Sequence, residues 1–165
     1  MFPIRQILHP TDFSEYSDHA FKLACALARD HGAKLLVLHV AFRPIVVSAE
    51  GVVPPEPKWY QEELRNKLHT YVSPDPAVEV RHILSVEDDA AAEILRVAKN
   101  ENCDLIVMGT HGRTGLTRLL MGSVAEIVVR KAPCPVLTVK VPVTPADAGR
   151  GAQASAPLEA GTGTG

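Results

Sequence analysis

The sequence predicts an α/β protein: a single doubly wound, Rossmann-like parallel sheet of five strands with helices on both faces. Three observations carry that prediction. Short apolar runs and longer amphipathic stretches alternate as β-α-β-α-β-α-β-α-β, the pattern of a parallel sheet wrapped by its own crossover helices. The run 33–40 is almost continuously apolar, as are strands covered on both faces. Finally, 165 residues with 46% hydrophobic and 22% charged content suffice for one buried core of a soluble domain.

Each element follows from local signals. Residues 4–8, with Ile4, Ile7 and Leu8, read as the first strand. His9, Pro10, Thr11, Asp12, Phe13 and Ser14 form the next loop, where either Asp12 or Ser14 can cap a helix. Asp12 with Glu15 has the spacing of a capping box. Tyr16, Ala20, Leu23, Ala24 and Leu27 recur at helical spacing, and Gly32 is placed to close that helix. Residues 33–40 are the second strand. Pro44, Gly51, Pro54, Pro55 and Pro57 make 42–57 a long mobile connection, the natural lid or variable loop of the domain.

A helix resumes near Trp59, with Tyr60, Leu64, Leu68 and Tyr71 on one face, and Ser73, Pro74, Asp75 and Pro76 end it. Residues 77–84 alternate and fit an edge strand with one wetter face. After Ser85 and Val86, the acidic Glu87, Asp88 and Asp89 suit the positive end of a helix whose buried stripe is Ala91, Ile94, Leu95 and Ala98. Residues 104–108 are the fourth strand. Val124, Ile127 and Val128 mark the last helix, and Ala132, Pro133, Cys134 and Pro135 turn the chain into a final strand, 136–139. Beyond Lys140 the chain is rich in Ala, Gly, Pro and Thr. Such a segment buries too little surface to offset the entropy of ordering it. The expected organisation is thus a domain over 1–140 and a disordered tail over 141–165.

Composition narrows the partners. A net charge of −2 gives no strong global attraction to nucleic acid or an anionic membrane. No stretch approaches the roughly 20 apolar residues of a membrane span, and no secretory h-region is visible at the start. Cys25, Cys103 and Cys134 are scattered and odd in number, which fits small core hydrophobes in a reducing cytosol better than a disulfide framework.

The chemistry concentrates after the fourth strand. Gly109 and Gly112 stand three apart, nine residues intervene, and Gly122-Ser123 then opens a helix. Glycine admits close backbone approach. A helix start offers free N–H groups and the positive end of a dipole. Together they read as an anion cradle, most simply for nucleotide phosphates. A second reading stands beside it: glycines needed only for turns in a strand-to-helix connection. The pattern is not a P-loop, because no lysine lies within the cradle, and it is not a Gly-x-Gly-x-x-Gly fingerprint. His111, inside the cradle, either shapes the loop or invites a catalytic role. The remaining histidines lack metal-ligand spacing such as His-Glu-x-x-His, and spacing alone assigns no Ser-His-Asp set. In doubly wound sheets ligands bind beyond the carboxyl ends of the strands, where strand order reverses. His9 to Asp12, His39 to Ala41 and Met108 to His111 all lie at such ends.

Gly109-x-x-Gly112, the nine-residue gap and Gly122-Ser123 resemble the nucleotide-binding motif of the universal stress protein family, in its ATP-binding branch. Residues 7–14 resemble that family's first strand and loop, 38–40 the end of its second strand, and 132–137 its closing segment, so the resemblance spans roughly 3–140. It implies strand order 3-2-1-4-5. It implies that Gly109, Gly112, Gly122 and Ser123 meet phosphates and ribose through backbone N–H groups and the Ser123 hydroxyl, with Val124 adding another N–H. Asp12 would sit near the ribose and a bound metal, the Val40 backbone at the adenine edge, Pro10 and Thr11 along the pocket wall, and Met108 near the sugar. His111 falls within the loop, and Arg113 is a further phosphate partner. Two departures stand out. Ser85-Val86 replaces a glycine often found after the third strand, and 42–57 is longer than expected.

The expected protein is a cytoplasmic homodimer, paired through Val136, Leu137, Thr138 and Val139, whose ATP occupancy, aided by Mg²⁺, signals or stabilises a state. Burying that last strand would also remove an apolar edge. It is expected not to be an enzyme, since no lysine stands on the phosphates and no base is assignable, although slow ATP hydrolysis remains compatible. The rival readings are an ATPase or phosphotransferase and a nucleotide-free interaction module.

Overall fold

The computed structural model describes residues 3–42, 58–110 and 121–140. The expectations for the 42–57 connection beyond Phe42, for His111, Gly112 and Arg113, and for the 141–165 tail lie outside the described residues. The elements run β1 (Gln6–Pro10), α1 (Glu15–His31), β2 (Lys34–Ala41), α2 (Lys58–Leu68), β3 (Val80–Val86), α3 (Ala90–Asn100), β4 (Leu105–Gly109), α4 (Ser123–Lys131) and β5 (Val136–Val139). All strand pairs are parallel, and the sheet order is β3-β2-β1-β4-β5. This is the expected fold, with the alternating third strand at an edge as its pattern requires.

Strand alternation divides the core into two. Ile7, Leu35, Val37, Leu105 and Val107 face one side and pack with Ala20, Phe21, Ala24, Cys25 and Ala28 of α1. Leu8, Leu36, Leu38, Ile106 and Met108 face the other and pack with Ala91, Ile94, Val97 and Ala98 of α3 and with Ala125 and Val128 of α4. At the amino end of the sheet, Asp104 Oδ2 accepts from the Arg5 and Gln6 N–H groups at 2.8 and 3.0 Å, tying β1 to the residue before β4. All three cysteines are free. Cys25 and Cys103 are buried, whereas Cys134 is only half-buried against the second cluster.

Several boundaries and faces differ from the sequence expectation. The buried face of α1 is Ser17, Ala20, Phe21, Ala24, Cys25 and Ala28, and Leu23 is 37% exposed. Small residues let the helix approach the sheet closely, and hydrogen bonding draws Ser17 inward, so the packed ridge is turned away from Leu23, while Leu27 still packs half-buried against the same cluster. Ser14, not Asp12, caps α1: its Oγ accepts from the Ser17 N–H. Asp12 Oδ1 instead accepts from the Ser14 N–H and Oγ, so Asp12 holds the capping residue and the Asp12–Glu15 capping box does not form.

Helix α2 stops at Leu68, and Tyr71 is buried from the turn that follows rather than from the helix face. In α4 the buried positions are Ala125 and Val128, with Ile127 turned to solvent. Strands β1, β3 and β4 all reach further toward their carboxyl ends than their apolar runs suggested. The partner strand β2 supplies ladder positions opposite Pro10 and opposite Val86. Ser85, at the departure from the family pattern, stays in β3 and donates through Oγ to Glu93 Oε1.

Gly32 ends α1 as expected, at φ 64°. A Cβ there would meet nothing within 4 Å, so any penalty on substitution is conformational. Gly32→Ala should lower the unfolding free energy by about 1 kcal/mol, measured by urea denaturation, with no change in the slope of the transition.

Candidate functional site

A cleft of about 350 Å³ opens at the carboxyl ends of the strands, between β1 and β4, where the strand order reverses. Pro10, Thr11 and Asp12 come from the end of β1 and its loop, and Ser17 from α1. Leu38, Val40 and Phe42 come from β2 and its exit, and Ala90 and Ile94 from α3. Met108, Gly109 and Thr110 come from β4 and the residue after it, and Gly122, Ser123, Val124 and Ala125 from the start of α4. Pro10, Thr11, Asp12, Val40, Met108, Gly109, Gly122, Ser123 and Val124, scattered through the sequence, therefore meet here as expected.

Ser17, Leu38, Phe42, Ala90, Ile94 and Ala125 line the cleft without having been anticipated, and Thr110, inside the expected Met108 to His111 segment but given no role of its own, joins them. Thr110 had a usable signal, because it lies between the two loop glycines. Ala90, Ile94 and Ala125 had none beyond helix periodicity, since their role depends on how α3 and α4 lie against the sheet.

Thr110 fixes the mouth of the cradle. Its N–H donates to the Val139 carbonyl at 3.0 Å, and its own carbonyl accepts from the Gly122 N–H at 2.7 Å. The end of β4, the end of β5 and the start of α4 are thereby locked together. Gly122 caps α4 with no side-chain hydrogen bond. Its N–H is committed to Thr110, so its contribution is to leave the helix start bare. The N–H groups of Ser123, Val124 and Ala125 have no partner among the described residues. Three open donors at the positive end of a helix dipole are an arrangement suited to an anion, and no lysine or arginine lines the cleft among the described residues.

Thr11 and Ser17 of the lining belong to a buried polar network. The Thr11 N–H donates to the Leu38 carbonyl at 2.8 Å, and the Thr11 carbonyl accepts from His39 Nδ1 at 2.8 Å. Thr11 Oγ1 donates to the Tyr71 hydroxyl at 3.0 Å and accepts from Ser17 Oγ at 2.7 Å and from the Phe13 N–H at 3.1 Å. Tyr71 in turn donates to Asp18 Oδ1. Burial, with that bond, pushes the Tyr71 hydroxyl up to about 12, so it remains a donor. Phe13 has φ 63°, in the left-handed region disfavoured for a residue with a side chain. Its ring lies 4.2 Å from that of His39 and 5.9 Å from that of Tyr71.

His9 anchors this network in the core. The Val107 carbonyl, 2.9 Å from Nδ1, can only accept, so the imidazole carries its proton on Nδ1 and Nε2 is a bare acceptor. Ser17 Oγ lies 3.4 Å from that Nε2 and 2.7 Å from Thr11 Oγ1, and its single proton goes to Thr11.

Burial pushes the His9 pKa down from 6.5 to about 4. Between those values the unfolded chain binds a proton that the folded chain refuses. The stability contributed by keeping His9 neutral is therefore complete above pH 6.5 and is lost as pH falls to about 4. The shift corresponds to about 3 kcal/mol. Urea denaturation across this window should show the native chain losing that much more stability than His9→Asn, which keeps a donor toward Val107 but cannot titrate.

Residues 3–140 match the universal stress protein family. Universal stress protein MJ0531 of Methanocaldococcus jannaschii is 36% identical, over 84% of this chain and 83% of its own. Universal stress protein MJ0577 of the same organism is 33% identical, over 82% and 94%. A universal stress protein of Thermus aquaticus is 35% identical, over 82% and 98%. Among solved structures, that of MJ0577 superposes with a TM-score of 0.71 at 31% identity, covering 86% of this chain and 99% of the other. A universal stress protein family structure from Burkholderia pseudomallei gives 0.65 at 30%, covering 82% and 96%.

Proposed function

Because this chain belongs to the universal stress protein family, we propose that it binds ATP in the cleft at the carboxyl end of its sheet and acts as a nucleotide-dependent regulator of a stress response. The observation that carries this reading is the bare start of α4. Ser123, Val124 and Ala125 present N–H groups without a partner among the described residues, in a cleft that Val40 and Phe42 also line. That helix start suits phosphates, and the apolar Val40, Phe42, Ala90 and Ile94 in the same lining suit a purine. Universal stress proteins solved with cAMP and with dAMP share the fold at 21% and 22% identity. Those two are evidence for the fold, and the choice of ATP rests on the cleft.

Mg²⁺ fits the donor set in a limited way. No group of three His, Cys, Asp or Glu side chains suited to a metal occurs among the described residues. Mg²⁺ characteristically takes one or two carboxylates plus nucleotide phosphates and keeps several waters. Asp12, on the cleft wall, is the carboxylate in a position to take part.

In this reading the protein holds ATP rather than consuming it. The described cleft offers no lysine to follow charge onto a leaving phosphate. Two buried histidines lie near it: His9 is neutral and faces Ser17 and Val107, His39 is held by the Thr11 carbonyl, and neither lines the cleft. Slow hydrolysis is the second reading, and steady phosphate release from saturated protein would establish it. No helix among the described residues is long and apolar enough to cross a membrane, in keeping with the proposed cytoplasmic setting.

Calorimetric titration with ATP and Mg²⁺ tests the cleft. The native chain should bind at one site. Gly122→Val, which places a branched side chain at the bare helix start, should reduce affinity by at least about a hundredfold, roughly 3 kcal/mol, while circular dichroism shows the fold retained. Equal affinities in the two proteins would refute the cradle.

The proposed homodimer pairs β5 with its copy. β5 is an edge strand, and Leu137 on it is 38% exposed. Changing Val136 and Leu137 together to lysine should give monomers in sedimentation velocity; a dimer surviving the double change would place the interface elsewhere.

A further inference from the structure

A second cavity, of about 370 Å³, lies apart from the nucleotide cleft and shares none of its lining residues. It opens between α1, the end of α2 and the turn after α2, and is lined by Phe13, Asp18, Phe21, Lys22, Lys67, Thr70 and Tyr71. We propose that this cavity is a second ligand site, for a small aromatic anion.

Three features point to that class. The rings of Phe13, Phe21 and Tyr71 pack on one another, with Phe21 and Tyr71 edge to face at 4.9 Å and Phe13 and Tyr71 at 5.9 Å. They offer a rigid aromatic lining to a flat ligand. Two lysines stand beside it, and neither makes an ion pair among the described residues. Lys67 Nζ lies 4.6 Å from the centroid of the Phe13 ring, held by an exposed cation–π contact that a carboxylate, sulfonate or phosphate readily replaces. Asp18 is the one carboxylate of the lining, and its Oδ1 accepts from the Tyr71 hydroxyl. Two cations against one carboxylate select an anion.

The wall itself shows signs of a built site. Phe13 presents its ring to this cavity from a left-handed backbone at φ 63°, a strained conformation of the kind that persists where surrounding structure enforces it. The Phe13 N–H donates to Thr11 Oγ1, and Tyr71 accepts from the same hydroxyl. Phe13 and Tyr71 are thus held by hydrogen bonds into the body of the domain, and the cavity is pre-formed.

The probe is 1-anilinonaphthalene-8-sulfonate, an aromatic anion whose fluorescence rises on leaving water, titrated into the full chain. Saturable binding is expected. The double variant Lys22→Ala, Lys67→Ala should bind it roughly tenfold more weakly, the loss of one charge-assisted contact. Thr70→Trp, which fills the cavity, should abolish binding, and an unchanged melting temperature would show that both variants fold. N-Phenyl-1-naphthylamine, the uncharged analogue, should bind the native chain more weakly than the sulfonate and ignore the lysine changes. Undiminished sulfonate binding to both variants overturns the proposal, whether or not ATP displaces the dye. Equal binding of charged and uncharged probes overturns the assignment to an anion. ATP calorimetry on the same variants reads the first cleft independently, so failure at one site is distinguishable from failure at the other.

Discussion

Five hydrogen bonds converge on Thr11. Its peptide N–H and carbonyl are taken by β2, and its hydroxyl joins Ser17 of α1, Tyr71 from beyond α2 and the peptide of Phe13. A neutral bond of this kind contributes only about 1 kcal/mol net, but a buried partner left unsatisfied costs 1–3 kcal/mol. Thr11 is 5% exposed, so the group is an all-or-none unit. It fixes where β1 stops and how the chain reverses through Phe13. It also sets the height at which Asp12 and Ser14 meet the first turn of α1. The left-handed turn at Phe13 and the inward rotation of α1 both follow from satisfying this one side chain.

That constraint also explains what could be read from the sequence. The parallel sheet was legible because it follows from periodicity, and its strand order came only with the family resemblance that the fixed-spacing motifs carry. Continuous apolar residues at 35–38 mean a strand covered on both faces, and alternation at 77–84 means an edge. Hydropathy places Leu23 above Ser17 on the α1 face, whereas the Ser17 hydroxyl is drawn inward to donate to Thr11, six positions earlier. No hydropathy scale registers a polar partner that exists only after folding. The cap was narrowed to Asp12 or Ser14 and no further, since a chain of two hydrogen bonds, Asp12 to Ser14 to Ser17, uses both. In the cleft, glycines and the helix start were legible because their chemistry is local. Ala90 and Ile94 were not, because an alanine or isoleucine becomes a pocket wall only through tertiary placement.

Electrostatically the cleft works without fixed cations among its described residues. Peptide dipoles and the N–H groups at the start of α4, unpartnered among the described residues, favour negative charge, while Asp12 in the same lining opposes it. Such a balance favours an anion that arrives with its own counter-ion over a bare one. It also suits recognition by backbone, which needs absent side chains as much as present ones: Gly109 and Gly122 leave room, and Gly122 leaves the donors uncapped.

The lining of this cleft is drawn from segments that begin at Pro10 and end at Ala125, and it takes residues from β1, β2, β4, α1, α3 and α4. No fragment or half-assembled chain contains it. A ligand here therefore recognises only the completed domain, and its binding free energy is added to the global unfolding equilibrium rather than to one loop. At a hundredfold excess over its dissociation constant that addition is about 2.7 kcal/mol. For a domain whose total stability is of the usual order of 5–15 kcal/mol, the proposed nucleotide binding would make cellular ligand concentration a control on protein lifetime. Occupied molecules would outlast empty ones under heat or proteolysis.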